Sequence, residues 1–296
     1  MSPRRLALLA LGVLAVSSSA ILIRLADAPP LAVAFYRNGM AAAILLPIAL
    51  VQHRDEFRRL TAGEWRITLL SGIALTTHFA LWVPSVGLTT VAASTVLVTT
   101  GPVWVALLGR LFLREQIARR AAVGILLSLA GALVISGGDF GSSADALLGD
   151  VMALGGAVAA AVYVLAGRSL RPKVSLATYT GTVYAMTAVA IGVLMLAAGT
   201  PFAGFEPRVW GLFALMTLGP QICGHTVFNY LLAHVEAVVV SIAVTAEPVG
   251  ATLLALLVLQ ETPSLPAVVG GAVILGGVYL AVSARAGREL EEAAIE

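Results

Sequence analysis

Residues 95–131 read TVLVTTGPVWVALLGRLFLREQIARRAAVGILLSLAG and residues 241–277 read SIAVTAEPVGATLLALLVLQETPSLPAVVGGAVILGG, and the two align without a gap at an offset of 146. Thr95-x3-Thr99-x2-Pro102 returns as Ser241-x3-Thr245-x2-Pro248, while Glu115, Gly124 and Gly131 return as Glu261, Gly270 and Gly277. Positive charge does not return: Arg110, Arg114, Arg119 and Arg120 become Leu256, Gln260, Leu265 and Pro266. Lys and Arg mark the cytosolic ends of membrane helices, so a copy that sheds all four belongs the other way up in the bilayer. An inverted repeat in a membrane is a transporter signature.

Composition agrees with a membrane setting. Of 296 residues 59% are apolar and 11% charged, against roughly 25% charged in a soluble domain. The net charge of +2 comes from basic residues at the ends of apolar runs rather than on one face, so no nucleic-acid partner is expected. Cys223 is the only cysteine, which excludes an intrachain disulfide and Cys-x2-Cys metal sites. Residues 1–20, with Arg4, Arg5, the run Leu6–Val16 and small residues Ser17–Ala20, have the outline of a signal peptide. A first membrane helix is the better reading, because segment 149–168 opens the second half at similar length and both segments end in arginine, Arg24 and Arg168.

Ten apolar runs are each long enough to cross about 30 Å of hydrocarbon as a helix. They lie at 6–25, 31–51, 66–86, 90–112, 119–136, 149–168, 175–198, 209–233, 237–259 and 264–283. None has the period-two alternation of a membrane barrel. With the N-terminus in the cytosol, 15 of the 18 basic residues fall inside, Arg208 falls outside with Asp139, Asp145, Asp150 and Glu206, and Arg24 and Arg37 lie within helices. Arg24 is close enough to a helix end to snorkel. The expected fold is an all-α integral membrane protein of ten transmembrane helices in two five-helix, inverted-topology repeats. Residues 1–140 form the first repeat, 147–285 the second and 286–296 a cytosolic tail, with the Gly-, Ser- and Asp-rich loop Gly137–Leu148 between the halves. Both termini are expected in the cytosol, and the lipid bilayer is the large partner. Trp65 and Trp210 begin the third and eighth runs, where an indole suits the interface.

Pro102 and Pro248 interrupt the fourth and ninth runs at matching depth, each removing a backbone hydrogen bond, as packing kinks or as breaks that serve gating. Thr95 and Thr99, like Ser241 and Thr245, stand four apart on the face leading to the proline, where hydroxyls satisfy freed backbone groups or a ligand. His78 with Trp82 and Ser85, and Gln221 with His225 and Asn229, form a second line on the third and eighth runs. His225 is the offset partner of Phe79, so each half carries a histidine near the midplane, either as a satisfied interhelical hydrogen bonder or as the wall of a shared cavity. No His-x3-His or carboxylate cluster accompanies them, so neither metal nor cofactor is expected. Tyr36, Trp104, Tyr163, Tyr179 and Tyr184 are candidate aromatic walls or simple packing, with Tyr36 and Trp82 foremost. Arg37 and Glu247 are the rarest residues at their depth, since centring either charge in a helix costs roughly 2.5–3.5 kcal/mol. They form a mutual ion pair, or they handle substrate or ion. Gly124, Gly131, Gly270 and Gly277 are expected to pack the fifth and tenth helices on neighbours within one chain, leaving a monomer.

Two five-helix units in opposite orientation, Tyr36-Arg37-Asn38 early in the second run, and a proline amid the apolar stretch before Arg114-Glu115 and again before Gln260-Glu261 resemble the drug/metabolite transporter superfamily. Over residues 5–285 the chain looks like the ten-helix EamA branch, and within it like the YddG-like exporters of amino acids and related metabolites. The resemblance implies a basket of helices one to four and six to nine around a central substrate cavity, with helices five and ten peripheral, and no catalytic residue. The second half departs from the first by having Gly181 where Arg37 would fall and Glu247 where Gly101 lies.

The functional expectation is an exporter of small amino acids or similar zwitterions across the cytoplasmic (inner) membrane of a bacterium, working by alternating access. A zwitterion needs one acceptor and one donor, which Glu247 and Arg37 or the histidines supply. The rival within the class is a drug or nucleotide-sugar carrier, the latter wanting several cavity Lys or Arg. An intramembrane serine protease is excluded by the lack of a Gly-x-Ser-x-Gly setting near His78 or His225.

Overall fold

The computed structural model describes residues 2–89, 91–114, 117–136, 143–259 and 265–293. Glu115, Gln260, Glu261, Asp139 and residues 137–142 of the expected linker lie outside the described residues. Among the described residues the chain is entirely helical: α1 Pro3–Ser17, α2 Ser19–Ala26, α3 Pro30–Gln52, α4 Arg54–Arg59, α5 Ala62–Leu88, α6 Val91–Val98, α7 Gly101–Leu108, α8 Arg119–Ser136, α9 Ala144–Leu170, α10 Leu176–Ala197, α11 Pro207–Met216, α12 Val227–Leu232, α13 Ala237–Val244, α14 Glu247–Leu254 and α15 Leu265–Ala293. Wider π-helical turns continue α7 (Gly109–Leu113), join α11 to α12 (Thr217–Thr226) and continue α14 (Ala255–Leu259).

Helix ends follow the local chemistry. Pro occupies the first turn of α1, α3, α7 and α11, where its missing N–H costs nothing. Thr61 and Glu64 close a capping box on α5, and Ser143 and Ser175 accept the N–H groups of Ala146 and Thr178 to start α9 and α10. Asp27, at φ 44°, stops α2. Among the described residues, seven helical runs are long and apolar enough to cross a membrane: Pro3–Ala26, Pro30–Gln52, Ala62–Leu88, Ala93–Phe112, Ala144–Leu170, Leu176–Ala197 and Ala237–Val258. Leu14, Leu111, Phe112, Val151, Leu196 and Leu257 point outward. Such a girdle of exposed apolar side chains suits lipid and not water.

The first run is not one smooth helix. Ser18 interrupts it between α1 and α2, with Ser17 Oγ donating to the Val13 carbonyl at 2.8 Å and Ser18 Oγ to the Ala15 carbonyl at 2.7 Å. Ala20, Ile21 and Leu22 beyond the break are buried, as a packed helix requires.

The duplicated stretch repeats its backbone in detail. Thr100 N–H bonds the Leu97 carbonyl at 3.2 Å and Val103 N–H the Thr100 carbonyl at 3.0 Å; 146 residues later Ala246 bonds Ala243 and Val249 bonds Ala246, each at 3.1 Å. These three-residue spacings are what remains when a proline withdraws its N–H. Thr99 Oγ1 donates to the Val96 carbonyl at 2.9 Å and Thr245 Oγ1 to the Ile242 carbonyl at 2.6 Å. Both copies then widen into the π-helical turns Gly109–Leu113 and Ala255–Leu259 at the same offset.

Contacts between the copies are reciprocal. A Cβ on Gly131 would lie 2.5 Å from the Gly270 carbonyl oxygen, and one on Gly277 would lie 2.6 Å from the Gly124 carbonyl oxygen, so α8 and α15 touch through the same residues in exchanged roles. Trp82 packs on Gly156 as Phe228 packs on Gly12, Phe228 standing 146 residues after Trp82 and Gly156 144 after Gly12. Exchange of roles is what a two-fold relation produces.

Candidate functional site

A cavity of about 90 Å³ opens among α1, α5, α7, α9, α12 and α13. Its wall includes the candidates His78, Thr99, Pro102, Tyr163, His225 and Asn229, with apolar Val16, Leu75, Val105 and Val240 between them. The two histidines face each other edge to plane with ring centroids 6.4 Å apart. His78 Nδ1 bonds the Gly156 carbonyl at 3.0 Å and its ring lies on Trp82, 5.7 Å between centroids and 15° from parallel. Asn229 Nδ2 donates to Tyr163 Oη at 2.5 Å and to the His225 carbonyl at 2.7 Å. These bonds fix the amide and leave Asn229 Oδ1 buried without a partner among the described residues. An orphaned acceptor beside a cavity is costly unless a bound molecule or water completes it.

Other expected site residues lie elsewhere. Trp82 is 3% exposed and backs His78 rather than lining the cavity; its Nε1 has no partner among the described residues. Tyr36 belongs to a separate aromatic cluster, stacked on Phe213 at 4.9 Å and edge-on to Trp210 and Phe205, with its hydroxyl donating to the Phe202 carbonyl. Trp210, expected as an interface anchor, packs there too. The cluster seals the bundle where the α10–α11 connection folds over α3. Gln221 turns to Arg37, accepting from Nε at 2.9 Å and donating Nε2 to Asn38 Oδ1 at 3.1 Å. Arg37 Nη1 donates to Ser19 Oγ at 3.0 Å, and its guanidinium lies 4.6 Å over Phe79. Thr245, Glu247 and Pro248 are buried at the α13–α14 break. The expected alternative of an Arg37–Glu247 ion pair is not formed.

The end of the bundle carrying α4 closes through polar contacts. Arg171 Nε and Arg168 Nη1 donate to the Asn229 and Leu232 carbonyls at 3.1 and 3.0 Å, capping the last turn of α12. Burial lowers the Arg171 guanidinium from its ordinary value, with Tyr179 and Glu56 pulling the other way. Glu56 accepts the Ser175 N–H at 3.0 Å, and Lys173 reaches Glu64 at 3.5 Å. Burial raises the Glu56 carboxyl, but hydrogen bonds from Thr178 and Ser175 and the neighbouring His53 outweigh it and hold the group below the usual carboxylate range.

Sequence reasoning missed Ser19 as the Arg37 partner, the Gly156 carbonyl under His78, and the Phe202, Phe205 and Phe213 rings around Tyr36. The Ser17-Ser18-Ser19 run was a usable signal for the first; nothing distinguished those phenylalanines from lipid-facing ones.

Residues 4–137 and again 147–283 match the EamA-like transporter family. An uncharacterized transporter of Archaeoglobus fulgidus is 28% identical over 284 residues, 92% of this chain and 95% of its own. A second from the same organism is 26% identical over 264 residues, covering 86% and 90%. One solved crystal structure at 20% identity superposes with a TM-score of 0.79 over 98% of this chain and 100% of the other, a likeness of fold.

Proposed function

The chain belongs to the EamA-like transporter family, and from that premise we propose that it exports small amino acids or related zwitterionic metabolites across the cytoplasmic membrane by alternating access. Membrane transport, not enzymatic turnover, is the family's activity; substrate, direction and mechanism are our reading. The observation that carries it is the small cavity between His78 and His225, with Asn229 Oδ1 unsatisfied beside it. An ammonium group gives that acceptor a donor, and the His225 ring N–H gives a carboxylate one, the His78 Nδ1–H being spent on the Gly156 carbonyl. Drug-sized ligands occupy pockets of roughly 300–1,000 Å³, well above this one. Arg37 lies off the cavity wall, and among the described residues no Lys or Arg lines it to cradle a nucleotide sugar.

In this reading α1 with α2, α3, α5, α6 with α7, and α8 are the first five membrane helices, and α9, α10, α11 with α12, α13 with α14, and α15 the inverted second five. Reciprocal contacts and the one-sided distribution of Arg and Lys support it. Both termini then lie in the cytosol, and Tyr36 with its neighbours seals the external end. The protein works as a monomer. Purified protein in liposomes, challenged with a panel of labelled amino acids, tests the assignment. Saturable uptake of one or a few small amino acids, reduced at least about tenfold by Asn229→Ala, is expected; folded protein that moves none of them refutes it.

A further inference from the structure

Arg37 and Glu247 are buried charges that the cavity does not use. Arg37 is 0% exposed and Glu247 7%. Arg37 spends Nε on Gln221 and Nη1 on Ser19, and its buried Nη2 has no partner among the described residues. Glu247 heads α14 with no ion pair among the described residues, although it is near enough to Arg37 to interact electrostatically. Phe79 stands between the guanidinium and the cavity, 4.6 Å from Arg37 and 5.8 Å from the His225 ring.

Two opposite charges left buried, close and unpaired are unfavourable, because neither recovers its lost hydration. A proton on Glu247 removes one of them. Both residues are also attached to interrupted helices: Arg37 is tied to Ser19 just past the Ser18 break, Glu247 follows the Thr245–Ala246 break, and Gly250 of α14 lies against Ser17. Small rotations at such breaks change the separation of the pair. The matching positions of the other copy hold Gly181 and Gly101, so the pair occurs once per chain.

We propose that Arg37 and Glu247 form a proton site separate from the substrate cavity, in which Glu247 holds a proton while apart from Arg37 and loses it to water when the helices shift and the two close into an ion pair. One proton leaves the carboxyl oxygen on one side and is regained from the other, which couples transport to the proton gradient. The inference rests on the transporter reading and adds its driving ion. Other titratable groups near the pair are Tyr184 on α10, His78 on α5 and His225, all of which face Arg37. Of the described residues on the elements packed on α14, those of α6 and of the turn Ala255–Leu259 include no titratable group, Tyr279 of α15 is exposed, and Arg4, Arg5 and Arg24 sit at the far ends of α1 and α2.

The test needs no substrate. In a Cys223→Ser background, a cysteine at the cavity-lining Ser241 is alkylated in liposomes between about pH 5.5 and 8.5, with rates normalised to the unfolded chain to remove thiol ionisation. We expect the parent to show a one-proton transition in accessibility. Glu247→Gln and Arg37→Gln should both be flat at the acid-side level, because neither reaches the paired state, and their double variant should add nothing. Glu247→Asp should keep a transition. Thermal unfolding of each variant checks that it is folded. A transition that survives in folded Glu247→Gln, a parent that does not respond to pH, or a response that follows sodium instead overturns the proposal. Failure of the amino-acid panel alone would leave it standing.

Discussion

The break between α6 and α7 and the break between α13 and α14 share tightened backbone bonds, a threonine hydroxyl turned back on the helix, and a π-helical ending at one offset. They differ in what stands before the proline. Gly101 precedes Pro102, and a Cβ there would meet nothing within 4 Å; Glu247 precedes Pro248, buried and ionisable. Duplication therefore preserved the geometry of the break while only one copy acquired ionisable chemistry. In the proposed alternating-access cycle both breaks flex, and Glu247 is the electrical difference between them.

If the copies are equivalent as structure, matched substitutions should cost the same. Trp82→Ala and Phe228→Ala, which empty equivalent sites over Gly156 and Gly12, should each lower stability by about 3–5 kcal/mol, read from thermal unfolding in detergent. Trp82, a candidate from sequence for cavity wall or simple packing, is 3% exposed, so its truncation empties packed space. Gly131→Val and Gly277→Val should follow at about 1–3 kcal/mol each, since both push side chains into a facing carbonyl. Costs that differ severalfold within either pair would break the equivalence.

If the copies differ as chemistry, Glu247→Gln should cut the transport rate about tenfold, some 1.4 kcal/mol, and flatten its pH response, whereas Gly101→Ala, at the matching position on the cavity wall, should leave the pH response intact. The same pH response in both variants would remove Glu247 from the mechanism. The smallest effect is expected at the polar closure, where Glu56→Gln weakens the bond to Ser175 by about 0.5–1.5 kcal/mol. Because the folded Glu56 carboxyl is held below its ordinary value, its contribution is present above the unfolded carboxylate range and is lost as pH falls through the folded value. The stability gap between parent and variant should therefore close on acidification.

Much of the fold was legible because it is written in long-range regularities. Apolar length marks helices, the fixed offset marks the copies, and recurring glycines mark where α8 and α15 touch. Buried Arg37 and Glu247 stood out because charge is expensive at that depth. Other features have no such signature. The π-helical turns arise from shifted backbone bonds that any apolar residue tolerates, and only Pro220 within Thr217–Thr226 hints at one. Tyr36 was recognised as unusual, but its partners are three phenylalanines brought from α11 and the α10–α11 connection, a tertiary fact. Ser17-Ser18-Ser19 was seen as the small residues of a cleavage site, and its role as a helix break and Arg37 partner depends on α3 packing beside it.

All of this depends on the halves facing opposite ways, and sidedness tests that directly. In a Cys223→Ser background, single cysteines replacing the exposed residues Asp145, Glu206, Arg58 and Arg119 are treated in intact cells with a membrane-impermeant thiol reagent. Labelling is expected at 145 and 206, and none at 58 and 119 until the membrane is opened. Labelling of position 119 from outside, at the start of α8 where the lost charges of the second copy have their counterparts, would contradict it.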